Sequence, residues 1–369
     1  MLKRFEVENF KGFKDRIVFD LSARDYSFNQ ELVGGGLVRH ALIYGKNGIG
    51  KSSLGLALFD IINHLTDKKP FDKSYYRTYH NLDRDDTAVR FKYTFIFGGE
   101  EICYEYAKTA PDALICEKLT IGEKTVINWN FTDPFQCHID KDFSGGIEVI
   151  LPDNHLSVIK YLYRNLPTLR IPVITQLCTF CEKMLWYRCL SEGNTYAGFT
   201  NGNARIADIL AINGNLKEFS SFLKMCGLDY VLKLQSVNGR MELFATFNDG
   251  KNETLFEDVA STGTQALALF YLWSISAIST ATFVFIDEFD AFLHYEAAEA
   301  IVKELNNTLN AQTVLTTHNT YLMQNDLTRP DCCFIMTDNR ITPLCRATHK
   351  EIREAHNLEK MYVNGAFGS

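Results

Sequence analysis

The chain has 369 residues, 46% of them hydrophobic and 22% charged, and carries a formal charge of −7. That balance excludes a disordered polymer and a protein clothed in basic surface, and it suits one large or two medium domains with a sizeable core. No apolar run nears the ~20 residues of a membrane-spanning helix, and charges interrupt the opening MLKRFEVENF where a signal peptide would be apolar, so a cytoplasmic protein away from membranes is expected.

In chain order, LKRFEVENF and RIVFDLS read as strands around the turn FKGFKD, and HALIYG reads as an apolar strand. A glycine-rich loop then opens into SSLGLALFDIINHL, whose apolar residues recur at helical spacing. From Ala88 to Ile127 the pattern is that of strands, with hairpins in VRFKYTFIFGGEEICYEYA and KLTIGEKTVINW. Between His155 and Gly227 the character changes, and SVIKYLYRNL, ITQLCTFCEKMLWYRCL, ARIADILAI and LKEFSSFLKMCG all read as helices. The heptads of a long coiled coil are missing. Residues 228–256 return to strands, and the last third alternates helix and strand, as in a largely parallel sheet. Its strands come from both ends of the chain, with a helical insertion between them.

Ten cysteines in so long a chain do not suggest a disulfide scaffold. Cys178 and Cys181, with Cys189 beyond, lack a second close pair for a four-ligand zinc site, so they read as buried helix cysteines.

The strongest chemical signal is Gly45-Lys46-Asn47-Gly48-Ile49-Gly50-Lys51-Ser52, which fits G-x-x-x-x-G-K-[ST] between a strand and a helix. Glycines let backbone N–H groups curl around phosphates, and the helix N-terminus adds its positive dipole end. The expected nucleotide contacts are Gly45, Asn47, Gly48, Gly50, Lys51, Ser52 and Ser53, with Lys51 on the β- and γ-phosphates and Ser52 on Mg²⁺. The run Thr282 to Glu288 is an apolar strand ending in two acids. Asp287 suits a role in holding Mg²⁺, and Glu288 suits a general base for water. Ser261 and Gly263, in Ala260-Ser261-Thr262-Gly263-Thr264-Gln265, stand before a helix, where they make either an anion site or a plain N-cap.

These elements, followed by Asp290 in EFDAFLH and His318 at the end of QTVLTTH, resemble ABC-type ATPases of the SMC, RecF and overcoming-lysogenization-defect group. More narrowly, NFKGF, ALIYGKNGIGKSS, ASTGT, IDEFDAFLH and NLEKMYVNGAFGS resemble prokaryotic AAA-labelled ATP-binding proteins encoded beside nucleases in anti-phage systems. The resemblance covers both ends of the chain but not residues 128–230. It implies an α/β fold, an ABC-type P-loop NTPase core with a mixed, mostly parallel sheet, an antiparallel β-subdomain and a helical insertion. The expected division is residues 1–150, 151–230 and 231–369, the first and last parts being the two halves of the core.

By the same resemblance, Asp287 is a Walker B acid and Ser261 and Gly263 form a signature segment that caps the partner subunit's nucleotide. Asp290 lies in a D-loop reaching across a dimer, His318 is a switch histidine on the γ-phosphate, and His294 is structural. Thr262 replaces the signature's first glycine and Ala260 its leucine. A Q-loop is expected near Asn81, between Tyr79 and Asp85. The implied function is a Mg²⁺-dependent ATPase that forms homodimers or larger homo-oligomers and controls a separate effector, a nuclease or toxin. The stretch after His318 is too short for an overcoming-lysogenization-defect nuclease domain. The alternative is a RecF- or SMC-like DNA-binding ATPase, using Lys3, Arg4, Lys11, Lys14 and Arg16, or Lys68, Lys69, Lys73 and Arg77. Net charge does not favour it. Tyr161, Tyr163, Trp186 and Tyr187 form either a partner surface or core.

Overall fold

The structure, a computed structural model, describes residues 1–68, 76–145, 149–151, 153–165, 171–188, 196–198, 205–276, 280–308, 311–338 and 340–367. The chain opens with β1 (Leu2–Glu8), β2 (Ile17–Asp20), the short ladder β3 (Val33–Gly34) and β4 (Leu37–Val38), and β5 (His40–Tyr44). The glycine loop leads into α1 (Lys51–Leu58) and α2 (Asp60–Leu65). A meander follows: β6 (Val89–Phe97), β7 (Glu100–Ala110), β8 (Ala113–Ile121), β9 (Lys124–Asn130) and β10 (His138–Ile139). Its first turn is Gly98-Gly99, both at positive φ, the backbone that a tight hairpin needs and that glycine adopts freely.

The middle of the chain contains α3 (Lys141–Ser144), α4 (Val158–Asn165), α5 (Pro172–Glu182), β11 (Met184–Arg188), β12 (Tyr196–Gly198), α6 (Ile206–Asn213) and α7 (Leu216–Met225). Next come β13 (Val231–Val237), β14 (Arg240–Phe247), β15 (Asn252–Leu255), α8 (Phe256–Val259) and α9 (Thr262–Ser276). The chain closes with β16 (Phe283–Asp287), α10 (Tyr295–Thr308), β17 (Gln312–Thr317), β18 (Cys333–Thr337), β19 (Arg340–Pro343) and α11 (Leu358–Val363).

Among the described residues the strands form two seven-stranded sheets and two small ones. The first large sheet, ordered β10-β9-β8-β7-β6-β1-β2, is antiparallel throughout. The second is ordered β12-β11-β16-β17-β5-β18-β19, parallel from β11 to β18 and antiparallel at both edges. The protein is therefore α/β, with a mixed, mostly parallel sheet beside an antiparallel one, and strands from both chain ends meet in the mixed sheet.

The alternation of side chains across a strand divides the interior into two cores. Ala41, Ile43, Phe283, Phe285 and Val314 face a core shared with the antiparallel sheet, α1, α2 and α5. Leu42, Tyr44, Val284, Ile286 and Leu315 face a second core under α9 and α10. β5, β16 and β17 are consequently buried at every position, as in a sheet covered on both faces. Gln312 staples the two large sheets. Its amide donates to Leu2 O at 2.8 Å and Val38 O at 2.9 Å, and its Oε1 accepts the Leu2 N–H at 2.9 Å.

One expectation is corrected. ITQLCTFCEKMLWYRCL is not a single helix, because α5 ends at Glu182 and β11 pairs in parallel with β16, Met184 beside Phe283 through Arg188 beside Asp287. Met184 and Trp186 enter the first core and Leu185 and Tyr187 the second, the period-two pattern of a strand buried on both faces. A continuous apolar run does not show that period in its residue types. Trp186 and Tyr187 are thus core, and Tyr161 and Tyr163 are half-buried against the first core. Cys178 and Cys181 are buried in α5, and burial pushes the Cys178 thiol up to about 12. Cys189 lies outside the described residues.

Candidate functional site

β17 lies between β16 and β5, and all three run parallel, so their carboxyl ends share one edge of the sheet. In sheets of this kind ligands bind beyond that edge. Tyr44 at the end of β5 leads into the glycine loop, Asp287 ends β16, and Thr317 ends β17 just before His318.

Backbone strain or crowding disfavours a side chain at three positions of the glycine loop. Gly48 has φ 78° and Gly50 φ 107°, and a Cβ on Gly50 would lie 2.8 Å from Phe13 Cε1. A Cβ on Gly45 would lie 2.9 Å from Ile49 Cγ2 and 3.2 Å from the Met336 carbonyl oxygen. Lys51 starts α1 with its side chain folded into this loop, where its ammonium donates to Gly45 O at 2.8 Å and Lys46 O at 3.1 Å. Burial pulls the Lys51 ammonium down from its ordinary pKa, and the charges of Glu288, Asp287 and Asp290 oppose that shift. Asn47 and Gly48 are exposed at the tip, and Ser52 and Ser53 are half-buried.

Across the edge, Asp287 is fully buried and accepts a hydrogen bond from the Thr316 hydroxyl at 2.7 Å. Glu288 is half-buried with φ 48°, a left-handed backbone uncommon for a residue bearing a side chain. Asp290 is 7% exposed and accepts from the Thr317 hydroxyl at 2.6 Å. Burial pushes its carboxyl up, while the Thr317 hydrogen bond and His318 pull it down. His318 is exposed at the rim, and His294 is exposed beside Tyr295.

Ser261 and Thr262 are exposed at the start of α9. Ser261 Oγ accepts the Thr264 N–H at 3.2 Å, so it caps the helix while remaining accessible. Gly263 packs so closely on the segment after Asp290 that a Cβ would lie 2.6 Å from the Phe292 carbonyl oxygen.

These groups fit a nucleoside triphosphate with a divalent cation. The loop adopts glycine-only conformations around a cationic side chain, and a buried carboxylate stands at the adjoining strand end. Asn81 fits its Q-loop expectation poorly. Its amide donates to Lys11 O, its Oδ1 accepts the Asp83 N–H, and its own N–H bonds Asn9 Oδ1, so it knits loops together. Reading the sequence passed over Thr316, Thr317 and Phe13. The signal for the first two was a pair of polar residues closing the apolar strand QTVLTT.

A family model described as "AAA domain, putative AbiEii toxin, Type IV TA system" matches residues 196–324, which include the signature-like segment, the acidic loop and His318 but not the glycine loop. No curated protein matches the sequence. Similar solved structures include the SMC head domain from Thermotoga maritima, 16% identical, covering 93% of this chain and 98% of its own, with a TM-score of 0.44. An SMC head bound to the C-winged helix domain of ScpA is 14% identical, covering 92% of this chain and 96% of its own, with a TM-score of 0.44. A Pyrococcus furiosus SMC head with an extended coiled coil, bound to the C-terminal domain of ScpA, is 13% identical over 92% and 95%, also at 0.44. Likenesses of this size carry no conclusion about activity. Among the described residues no helix is long and apolar enough to cross a membrane.

Proposed function

We propose that the protein is a Mg²⁺-dependent ATPase of the ABC type that forms ATP-sandwich dimers or larger assemblies and controls a separate effector, a nuclease or toxin, in anti-phage defence. The observation that carries the enzymatic part is the meeting of the Lys51 loop with the charges of Asp287, Glu288 and Asp290 at one sheet edge. The matching family's description sets its AAA domain in a "putative AbiEii toxin, Type IV TA system", and the effector and defence parts of the reading rest otherwise on the sequence resemblance.

Gly45, Asn47, Gly48, Gly50 and Ser53 would contact the nucleotide, with Lys51 on the outer phosphates and Ser52 and Asp287 holding Mg²⁺, which neutralises phosphate charge when bound. Glu288 would take a proton from water, and His318 would contact the γ-phosphate. Ser261 and Gly263 would cap the partner's nucleotide, with Asp290 at the same junction. Residues 1–150 and 231–369 would supply the nucleotide-facing parts of the core, to which residues 171–188 add α5 and the strand β11 beside β16, so partner specificity is proposed for the remainder of residues 151–230.

The DNA-binding alternative gains little from the surface. Arg4 and Arg16 both pair with Glu6, and Lys3 pairs with Glu101. Lys69 and Lys73 lie outside the described residues.

ATP turnover of the purified protein tests the enzymatic reading. Lys51→Ala should abolish it by weakening phosphate binding. Glu288→Gln should keep ATP binding and raise the solution mass by light scattering with Mg-ATP. Wild-type turnover by Glu288→Gln would remove Glu288 as base. Native pull-downs that recover no neighbour-encoded protein would count against an effector.

A further inference from the structure

We propose that Thr316 is a positioning residue that holds the Asp287 carboxylate and the Glu288 peptide in one fixed relation, while Thr317 holds the Asp290 carboxylate. The inference rests on the ATPase reading for its consequence, but not for its geometry.

Thr316 touches three consecutive residues of the acidic loop. Its hydroxyl donates to Asp287 Oδ1 at 2.7 Å and accepts the Glu288 N–H at 2.7 Å. Its carbonyl oxygen accepts the Phe289 N–H at 3.3 Å. A hydroxyl has one proton to give and lone pairs to receive, so this arrangement uses it in both senses at once. The side chain is fully buried, so water offers Glu288 no ready substitute for that acceptor.

The bond to Glu288 has a purpose that the backbone reveals. At φ 48° the Glu288 peptide sits in the left-handed region, which is strained for a residue with a side chain. Such a conformation persists only where surrounding contacts over-determine it. Thr316 supplies that contact, and its other hydrogen bond fixes the neighbouring carboxylate. One side chain thus sets the separation between the residue assigned to the metal and the residue assigned to water.

Thr317 ties a second acid to the segment that follows its own strand. Its hydroxyl donates to Asp290 Oδ2 at 2.6 Å and accepts the Asn319 N–H at 2.9 Å. Successive residues of a strand point to opposite faces, so the two hydroxyls grip the acidic loop from both faces of β17. His318 follows immediately, so the acidic loop and the histidine are tied to one strand end.

Valine has threonine's shape without the hydroxyl, and serine keeps the hydroxyl. In wild type lacking nucleotide, the Glu288 amide should exchange slowly with deuterium. Thr316→Val should speed exchange in the segment around residues 286–290, and Thr316→Ser should restore protection. Turnover should fall about 10–100-fold in Thr316→Val, the usual cost of losing a group that orients a ligand residue. KM for ATP should change little, and Thr316→Ser should recover kcat.

Unchanged exchange in Thr316→Val, or turnover equal to wild type, overturns the positioning role while leaving the ATPase reading intact if Lys51→Ala is inactive. A wild-type protein without turnover instead sinks the ATPase reading, and the exchange arm still decides whether Thr316 holds the loop. Should Thr316→Val fail to fold, rapid exchange of the wild-type Glu288 amide is itself the overturning result.

Discussion

The Lys108 ammonium lies 2.6 Å from the Asp60 carboxylate, and both side chains are fully buried. Asp60 opens α2, directly after the helix that follows the glycine loop, while Lys108 is on β7 of the antiparallel sheet. The tyrosine hydroxyls of Tyr79 and Tyr106 donate to the same carboxylate at 2.8 and 3.0 Å, and Lys108 also donates to Pro111 O at 2.8 Å. Burial pulls the Lys108 ammonium down, and Asp60 opposes that shift. Removing one member strands the other charge away from water, at a cost of about 3–5 kcal/mol. Asp60→Ala should therefore lower the unfolding free energy by that margin, read from urea melts as a fall in midpoint at unchanged slope, and the paired change Asp60→Leu with Lys108→Met should cost less than either single truncation. A loss below ~1 kcal/mol, the value of a surface pair, would contradict the burial argument.

Glu117 on β8 gives stability a pH dependence of unusual sign. Its carboxyl accepts hydrogen bonds from Ser157, Tyr104 and the Val158 N–H, at the start of α4. Burial outweighs those donors and pushes its pKa from 4.5 to about 7. Between those values the folded chain holds a proton that the unfolded chain has lost, so this group's contribution to stability falls as pH rises. Glu117→Gln cannot ionise and should lack that decline. Relative to wild type, its urea stability should improve by ~3 kcal/mol on moving from pH 4.5 to pH 8. His40, held near 4 by burial, makes its own contribution fall with acidity and is common to both proteins, so the difference between them isolates Glu117. A constant difference across that range would refute the assignment.

How much of this was legible in the sequence depends on how local each feature is. The strand, glycine loop and helix around Lys51 follow from adjacent residues, as do the meander turns at Gly98-Gly99 and the apolar run into Asp287. The two-sheet α/β architecture followed from strands at both chain ends. β11 was hidden because Met184–Arg188 looks alike in a buried helix or a buried strand, and only its neighbour β16 decides. Thr316 and Thr317 were hidden because their partners, Asp287 and Asp290, lie 29 and 27 residues away in sequence. The buried charges of Asp60 and Lys108 were likewise unreadable, since 48 residues separate them.

Phe13 lies on the turn between β1 and β2, and its ring fills the space beside Gly50. Gly50→Ala adds a clash with that ring to the strain of φ 107°. We expect ATP affinity to fall at least about tenfold, equivalent to ~1.4 kcal/mol. Phe13→Ala should destabilise the fold by about 3–5 kcal/mol, the usual loss for a large core ring. Combined with Gly50→Ala it should recover part of the binding loss, because room is made but the backbone strain stays. Binding and unfolding measured across this double-mutant cycle separate the two terms. Strictly additive losses would mean that Phe13 does not constrain the loop.

Gly263 makes a different prediction, because its backbone is not in the left-handed region and only space is at issue. An added Cβ would meet the Phe292 carbonyl oxygen at 2.6 Å, and a backbone atom cannot swing aside as a side chain can. Gly263→Ala must therefore push the start of α9 and the Asp290 loop apart, with an overpacking cost of about 1–3 kcal/mol. Lys51 and its loop are on β5 and α1, so ATP binding by a single subunit should be largely retained. What should fail is assembly, since Ser261 and Gly263 are the residues proposed to cap the partner's nucleotide. Placed in the Glu288→Gln background, Gly263→Ala should remove the mass increase that Mg-ATP produces in light scattering. If that increase persists undiminished with ATP bound, the signature segment lies away from the assembling surface and the composite-site reading must be abandoned.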